Sequence, residues 1–566
     1  MRLPASLRGA VAGPDASAST PAGAASPKFP SGFQAPSGNP PVRHHWRVLA
    51  VLSVSLLIIS LDNTILNVAL PAIVRSMHAS SSELQWIVDA YIIVFAGLLL
   101  VAGSLGDRVG RKWVFMGGLL IFAAGSATSA FSGTPDQLIA ARAFMGIGAA
   151  AIMPSTLSIL INVFTDAKDR ARAIGFWTGT SGLGLAAGPV AGGWLLAHYW
   201  WGSVFLINVP IAAVAFLAVI WLVPNSRNPA SERPDPIGAG LSILGLTLLL
   251  WGIIEAPVRS WTSPLVLGAI AAAALVLTGF VLWERHSTHP MLQLAFFGSR
   301  RFSVAMGAMA LVFFALLGGL FLLTQYLQFS LGYSALQAGL RLTPIAAVLL
   351  VAASFSTMLV RFLGTKLVVF TGVGLIAGGL GLVSRVTVHG TYLDVLPAFL
   401  LIGVGTGLAY APCTESVMGS LPLDLAGVGS ATNSTALQAG GALGVAVLGS
   451  LLNTRYQNQM ATMLAHFPMP EAILDQINGS LGGALAVTHH LGPPLSAELT
   501  QLARRSFVSG MDLAVIVGAI VLGIAALAIL TTLPGNSTPS PASCSAETTP
   551  SVTEIDPAGG YQRSGR

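Results

Sequence analysis

The sequence predicts an all-α polytopic membrane protein with fourteen transmembrane helices, arranged as two six-helix bundles plus two extra central helices. Three observations predict it. First, 54% of the 566 residues are hydrophobic and only 9% are charged, whereas ordinary soluble domains carry about 25% charged residues. So little charge cannot cover a soluble surface. Second, fourteen runs approach the ~20 mostly apolar residues that a span requires. Third, two segments recur at offsets of 254 to 256 residues.

The elements follow in order. Residues 1–45 are rich in Pro, Gly, Ala and Ser and lack the apolar stretch of a signal peptide, so they read as a disordered tail that is not cleaved. Spans fall at 48–74, 84–105, 112–131, 137–161, 172–196 and 201–223, giving a first bundle over 46–223. Two further spans, 237–255 and 264–284, make up 237–284. The last six, at 302–325, 335–360, 366–385, 393–416, 426–452 and 507–533, give a second bundle over 302–533. Most connections are short. The exception, 453–506, is long, polar and expected to be partly helical. Residues 534–566 repeat the composition of the first tail. Cys413 and Cys544 have no disulfide or metal-site spacing.

Orientation follows from Lys and Arg in the short loops. With the N-terminus inside, the inner loops hold Arg108, Arg111, Lys112, Lys168, Arg170, Arg172, Arg227, Arg233, Arg285, Arg300, Arg301, Arg361 and Lys366. The short outer loops hold only Arg75, Arg259 and Arg385. Both termini are therefore expected in the cytoplasm, with 453–506 outside.

The repeat supports two parallel halves. Gly184, Gly188, Gly193, Leu195 and Leu196 match Gly440, Gly444, Gly449, Leu451 and Leu452. The loop "GSLGDRVGRKWVF" (Gly103–Phe115) has a partner in "MLVRFLGTKLVVF" (Met358–Phe370), where Gly110 meets Gly364, Lys112 meets Lys366, and Arg361 takes the place of Asp107. Parallel halves related by an axis along the membrane normal are a known transporter plan.

A charge at mid-bilayer costs about 2.5–3.5 kcal/mol on insertion scales and needs a reason. Span 1 carries Asp62, span 2 Asp89 and span 4 Arg142, all in the outer half at similar depth. Two carboxylates beside one arginine leave one carboxyl that can exchange a proton, since arginine stays charged. Asp62 and Asp89 are both candidates for it. Asn63 and Asn67, on the same stretch as Asp62, join them as candidate coupling or substrate residues. Two plainer readings compete: a polar lock holding spans 1, 2 and 4 together, and a boundary position for Asp89. Arg341, Glu415 and Asp512 sit nearer span ends and read as boundary residues. No histidine pair has metal-ligand spacing within a span, and no metal site or catalytic residue is expected.

"GLGLAAGPVAGG" (Gly182–Gly193) is poor helix material inside a span. Gly184, Gly188, Gly192 and Gly193 allow close backbone approach, and Pro189 removes one helix hydrogen bond and favours a kink. A closely packed, bent helix suits a seam that moves and seals.

Several stretches carry a resemblance. "GSLGDRVGRK" (Gly103–Lys112) resembles the loop between helices 2 and 3 of the major facilitator superfamily, and "LIAARAFMGIGAA" (Leu138–Ala150) its span 4 motif. "GLAAGPVAGGWL" (Gly184–Leu195) resembles its antiporter motif. "LDNTILNVALP" (Leu61–Pro71), "LQWIVDAY" (Leu84–Tyr91) and "SALQAGLRLTP" (Ser334–Pro344) resemble the fourteen-span drug:proton antiporters of EmrB/QacA type. The resemblance covers 46–533. It implies two bundles rocking around a central cavity, with export coupled to proton entry. It also makes Gly103, Asp107, Arg108, Gly110, Arg111 and Lys112 a gating loop that stabilises the outward-open state, with Arg170 and Arg172 as candidate partners for Asp107.

The expected function is proton-coupled export of hydrophobic compounds, cations among them. The alternative is another cargo on the same scaffold: a self-made antibiotic, a siderophore or a lipid. No P-loop sequence occurs that would suggest an ATP-driven pump, and no cluster of polar residues suggests an enzyme. The expected partners are a small molecule, protons and the bilayer, with no nucleic acid. No cofactor is expected, the proton gradient being the drive. The chain is expected to be monomeric in the plasma membrane.

Overall fold

The computed structural model describes residues 44–533, apart from 165, 228–233, 289, 422–425, 465–469, 489–490 and 493. Both predicted tails, Cys544 and Arg233 lie outside the described residues. Among these residues every element is helical: α1 (His45–Met77), α2 (Ser81–Val109), α3 (Arg111–Ala130), α4 (Pro135–Val163), α5 (Ala167–His198), α6 (Ser203–Leu206), α7 (Asn208–Leu222), α8 (Pro236–Arg259), α9 (Pro264–His286), α10 (Arg300–Gln325), α11 (Ala335–Val383), α12 (Tyr392–Met418), α13 (Ala426–Leu464), α14 (Glu471–Gly479), α15 (Leu481–Thr488) and α16 (Leu495–Thr532).

Twelve helical stretches are long and apolar enough to cross a membrane, α6 and α7 together making one of them. Two features connect this number with the fourteen predicted spans. The 32-residue α5 is long enough but is diluted by glycine. The 49-residue α11 breaks at Gly364, where φ is 80° and ψ is 156°, so its two arms are separate spans. The long polar connection differs from a loop. At 1.5 Å per residue, the 39-residue α13 and 38-residue α16 outrun a hydrocarbon core of about 30 Å. The end of α13, the short helices α14 and α15, and the start of α16 occupy most of 453–506.

The repeat is visible in the backbone. Gly110, between α2 and α3, has φ 125°, and Gly364, between the arms of α11, has φ 80°. Both conformations strain any side chain with a Cβ. The helices entering these joints start alike: Ser80 and Glu83 form a capping box on α2, and Ser334 and Gln337 form one on α11. The glycine-rich helices also correspond. A Cβ on Gly184 would lie 2.6 Å from Ser60 Cβ on α1, and one on Gly440 would lie 2.1 Å from the Ala310 carbonyl on α10. A Cβ on Gly193 would lie 2.6 Å from Leu336 Cα on α11, and one on Gly449 would lie 2.8 Å from Gln85 Cδ on α2. Each glycine-rich helix therefore packs on the first helix of its own set and ends against the second helix of the other.

Helix α1 packs on α4, α5 and α7, α2 on α4, and α3 on α4 and α7. In the second set α10 packs on α12 and α13, α11 on α12 and α16, and α13 on α16. The α8–α9 hairpin lies outside both, with α8 against α2 and α13. We call the end of the molecule carrying residues 103–112 the loop face and the opposite end the far face. Among the described residues, the hydrogen bonds and glycine approaches that join the two sets run from the far face to mid-depth. Gln328 Nε2 donates to the Val68 carbonyl at 3.0 Å, Ser450 Oγ to Gln85 Oε1 at 3.2 Å, and Thr435 Oγ1 to the Ala96 carbonyl at 3.4 Å. Helices α14 and α15 cover that end: Gln476 Nε2 meets His78 Nδ1 at 3.3 Å, and Gly482 approaches Val74 and Phe329.

At the α5–α11 crossing, a Cβ on Gly339 would lie 2.0 Å from the Pro189 carbonyl oxygen. Gly339→Ala is therefore expected to force the two helices apart. Overpacking of this kind costs about 1–3 kcal/mol. A cysteine pair engineered across α5 and α11 should cross-link more slowly in that variant; an unchanged rate would show that the backbone absorbs the methyl.

Candidate functional site

Close packing of glycines positions a buried charge cluster. A Cβ on Gly146 would lie 2.6 Å from the Tyr91 carbonyl on α2, and one on Gly148 would lie 2.5 Å from Phe122 N on α3. With only hydrogen there, α4 lies directly on both helices. Arg142, one turn before Gly146, then reaches between them with 1% of its surface exposed. Its Nη1 donates to Asp62 Oδ2 on α1, and its Nε to the Ile87 carbonyl at 3.1 Å. The guanidinium lies 4.3 Å from the centroid of the Tyr91 ring and 5.9 Å from that of Phe205. Asn208 Nδ2 on α7 donates to Asp62 Oδ1 at 3.2 Å and to Ser126 Oγ on α3 at 3.0 Å. Both oxygens of Asp62 are thus engaged, and the ion pair lies inside the first helical set. Taking two charges out of water is repaid only when geometry and extra hydrogen bonds are good, and Asn208 and Ile87 supply those bonds.

Asp89 differs. It has no exposed surface, and neither carboxylate oxygen has a hydrogen-bond partner. Helix α13 runs alongside α2 and continues past the level of Gln85 to Leu464. At 100° per residue, Gln85, Asp89 and Ala96 lie within about 40° of one another on α2. Gln85 and Ala96 both touch α13, so Asp89 sits on the stripe of α2 that forms the seam between the sets.

Asn67 is buried, its Nδ2 donating to the Asn63 carbonyl at 3.3 Å and its Oδ1 without a partner. Asn63, Asn67 and Val74 share one stripe of α1, and Val74 on it touches α15. That stripe lies about 100–140° around α1 from Asp62.

The 103–112 loop holds its charges locally. Asp107 pairs with Arg111 at 2.7 Å, four residues on, and Arg111 Nη1 also reaches the Ser158 carbonyl at 3.4 Å. Lys112 Nζ donates to the Ile220 carbonyl at 2.8 Å. The expected partners of Asp107 are otherwise placed: Arg172 pairs with Asp169 at 3.5 Å, and no ion pair joins Arg170 to Asp107 among the described residues. The reason is geometric, since residues four apart across this joint already meet. Such partly exposed pairs contribute at most about 1 kcal/mol. Asp107→Ala should therefore change thermal stability by less than that, read as a near-unchanged Tm, whatever it does to transport. Gly103 rests against Pro154, and Gly110 against Asn225. Of the span 5 motif, Gly184, Gly188 and Gly192 face α1, while Gly193 and the Pro189 carbonyl face α11.

Sequence reasoning missed Asn208, Gln85, Gln328 and Ser450. Each is a neutral polar residue near a span end. The one signal was an amide or hydroxyl inside or beside an apolar run.

The fold and this cluster define a polytopic helical transporter whose two helical sets are joined at one end and which carries buried charge within one of them. The match to the Major Facilitator Superfamily model covers residues 52–445, and the chain belongs to that family. It is 33% identical over 497 residues to the tetracenomycin C resistance and export protein of Streptomyces glaucescens, covering 86% of this chain and 91% of that protein. It is 34% identical over 492 residues to the multidrug efflux pump LfrA of Mycolicibacterium smegmatis, covering 85% and 95%. A bacterial homologue of the human lysosomal transporter Spinster, in an inward-facing and unoccupied conformation, superposes with a TM-score of 0.62 at 15% identity, over 87% of this chain and 98% of that one. The protein is a transporter and not an enzyme.

Proposed function

We propose that the protein is a proton-coupled exporter of hydrophobic compounds working by alternating access, with both termini and the loop face in the cytoplasm. Residues 46–223 and 302–533 are then the rocking bundles, and 237–284 an added hairpin. The excess of Lys and Arg on the loop face supports this orientation. Because the far face is joined and covered, this structure corresponds to the inward-facing state. The observation that carries the reading is Asp89: a fully buried carboxyl without a partner, on the seam that must part when the far face opens. Closure isolates it and opening exposes it, so its proton exchange is tied to the conformational cycle. Asp62 and Arg142 form a fixed ion pair within the first set.

The relatives named for tetracenomycin C export and for multidrug efflux support drug or antibiotic cargo. The pairing of Asp62 within the first set leaves fewer free acids to attract a cation, so charge on the cargo is not required. Export of a self-made antibiotic fits the same site. The test is uptake of a fluorescent lipophilic compound into everted vesicles under an imposed pH gradient. Uptake that collapses with an uncoupler is expected. Uptake indifferent to the uncoupler would overturn proton coupling.

A further inference from the structure

The repeat makes two lateral seams equivalent, α2 against α13 and α5 against α11, yet the structure treats them differently. The first is covered from the bilayer side by the α8–α9 hairpin, which touches both sets. Ser82 Oγ on α2 donates to the Ile254 carbonyl at 3.3 Å, and a Cβ on Gly97 would lie 2.2 Å from Ile243. Trp261 Nε1, in the turn of the hairpin, donates to Thr454 Oγ1 on α13 at 3.1 Å. No helix among the described residues covers the second seam in the same way.

The bare seam carries a groove of about 610 Å³, within the 300–1,000 Å³ of small-molecule sites. Ala186, Ala187, Val190 and Ala191 of α5 form its floor, with Ile207 and Leu336 at its sides. Thr343 is its single polar side chain, and its Oγ1 is already bonded to the Leu340 carbonyl at 2.6 Å. Leu183 and Trp194 line it with large exposed surfaces, so it opens outward into the apolar band. Its far-face end is marked by the clustered rings of Trp194, His198 and Tyr199, with centroids 4.9 Å and 6.0 Å from Trp194, the tyrosine edge-on. Aromatic rings of this kind mark the membrane interface.

We propose that an acyl chain of a far-leaflet lipid binds in this groove and covers the α5–α11 seam, as the α8–α9 hairpin covers the α2–α13 seam. The occupant is a hydrocarbon chain because the groove offers no charge, is lined almost wholly by apolar side chains, has its one indole N–H on Trp194 at the far-face end, and opens directly to lipid. It lies along helices that approach closely at Gly193 and Gly339, with Gly182 against Leu350 nearer mid-depth, so a bound chain stabilises the closed far face.

The test uses the full-length protein in liposomes containing a phospholipid with a photoactivatable acyl chain, with labelled sites mapped by peptide analysis. In wild type, labelling of residues 183–195 and 336–343 is expected to exceed several-fold that of the plainly lipid-facing α9. Ala187→Phe combined with Ala191→Phe should abolish the excess, and the milder Ala191→Leu should reduce it if the double variant does not fold. Labelling no stronger than on α9, or unchanged by a folded filled variant, would overturn the proposal. Loss of the label when a transported dye is added would overturn it too, by giving the groove to the cargo.

Discussion

Everted vesicles carrying Asp89→Asn are expected to accumulate no more dye under a pH gradient than empty vesicles, while the variant stays folded. The substitution keeps the shape of the side chain and breaks no hydrogen bond, since neither oxygen of Asp89 has a partner. What it removes is a buried carboxyl without a hydrogen-bond partner on the α2–α13 seam. Asn67 and the Gln85–Ser450 contact remain, so the seam still closes and the unfolding temperature should hardly move. Downhill leakage of dye without a gradient is the informative control: if it persists, only coupling has been lost. Gradient-driven uptake equal to wild type would transfer the coupling role to Asp62.

Asp62→Ala acts on folding before it acts on transport. It strips Arg142 of its counter-charge and Asn208 of an acceptor in a site where Arg142 is 1% exposed. Breaking a buried pair from one side typically costs about 3–5 kcal/mol, a large part of the 5–15 kcal/mol that holds ordinary domains together. A marked drop in Tm and in monodisperse protein recovered after detergent extraction is expected. Asp62→Leu together with Arg142→Met should restore most of it, because replacing both charges with apolar side chains of similar size is often neutral or stabilising. A single variant as stable as wild type would show that water or another donor reaches Arg142.

These two residues also show what is legible in a sequence. Asp62, Asp89 and Arg142 stand out as charges in apolar runs at matching depth, which makes a charge cluster legible but not which carboxyl Arg142 takes. The all-helical, many-span architecture is equally legible, because hydrocarbon thickness fixes length. The different environments of Asp62 and Asp89 are not legible. They depend on which face of α2 meets α13, a contact between residues hundreds of positions apart, and on Asn208, whose neutral amide gives no signal in composition. The local pairing of Asp107 with Arg111 is missed when both are read as residues of a loop and not as neighbours four apart. The site of the α8–α9 hairpin was hidden for a further reason: an apolar helix shows its length but not its neighbours.

Gly110 and Gly364 lend themselves to a historical reading. Around the first glycine stand Asp107, Arg108 and Arg111; around the second, Arg361 has replaced the acid and only Lys366 matches in charge. The two joints nevertheless share the same left-handed backbone. If the halves descend from one duplicated ancestor, the bend is the heirloom and the charges are the part each copy was free to rewrite. One copy then retains an electrostatic vocabulary at its joint, and the other keeps only the elbow.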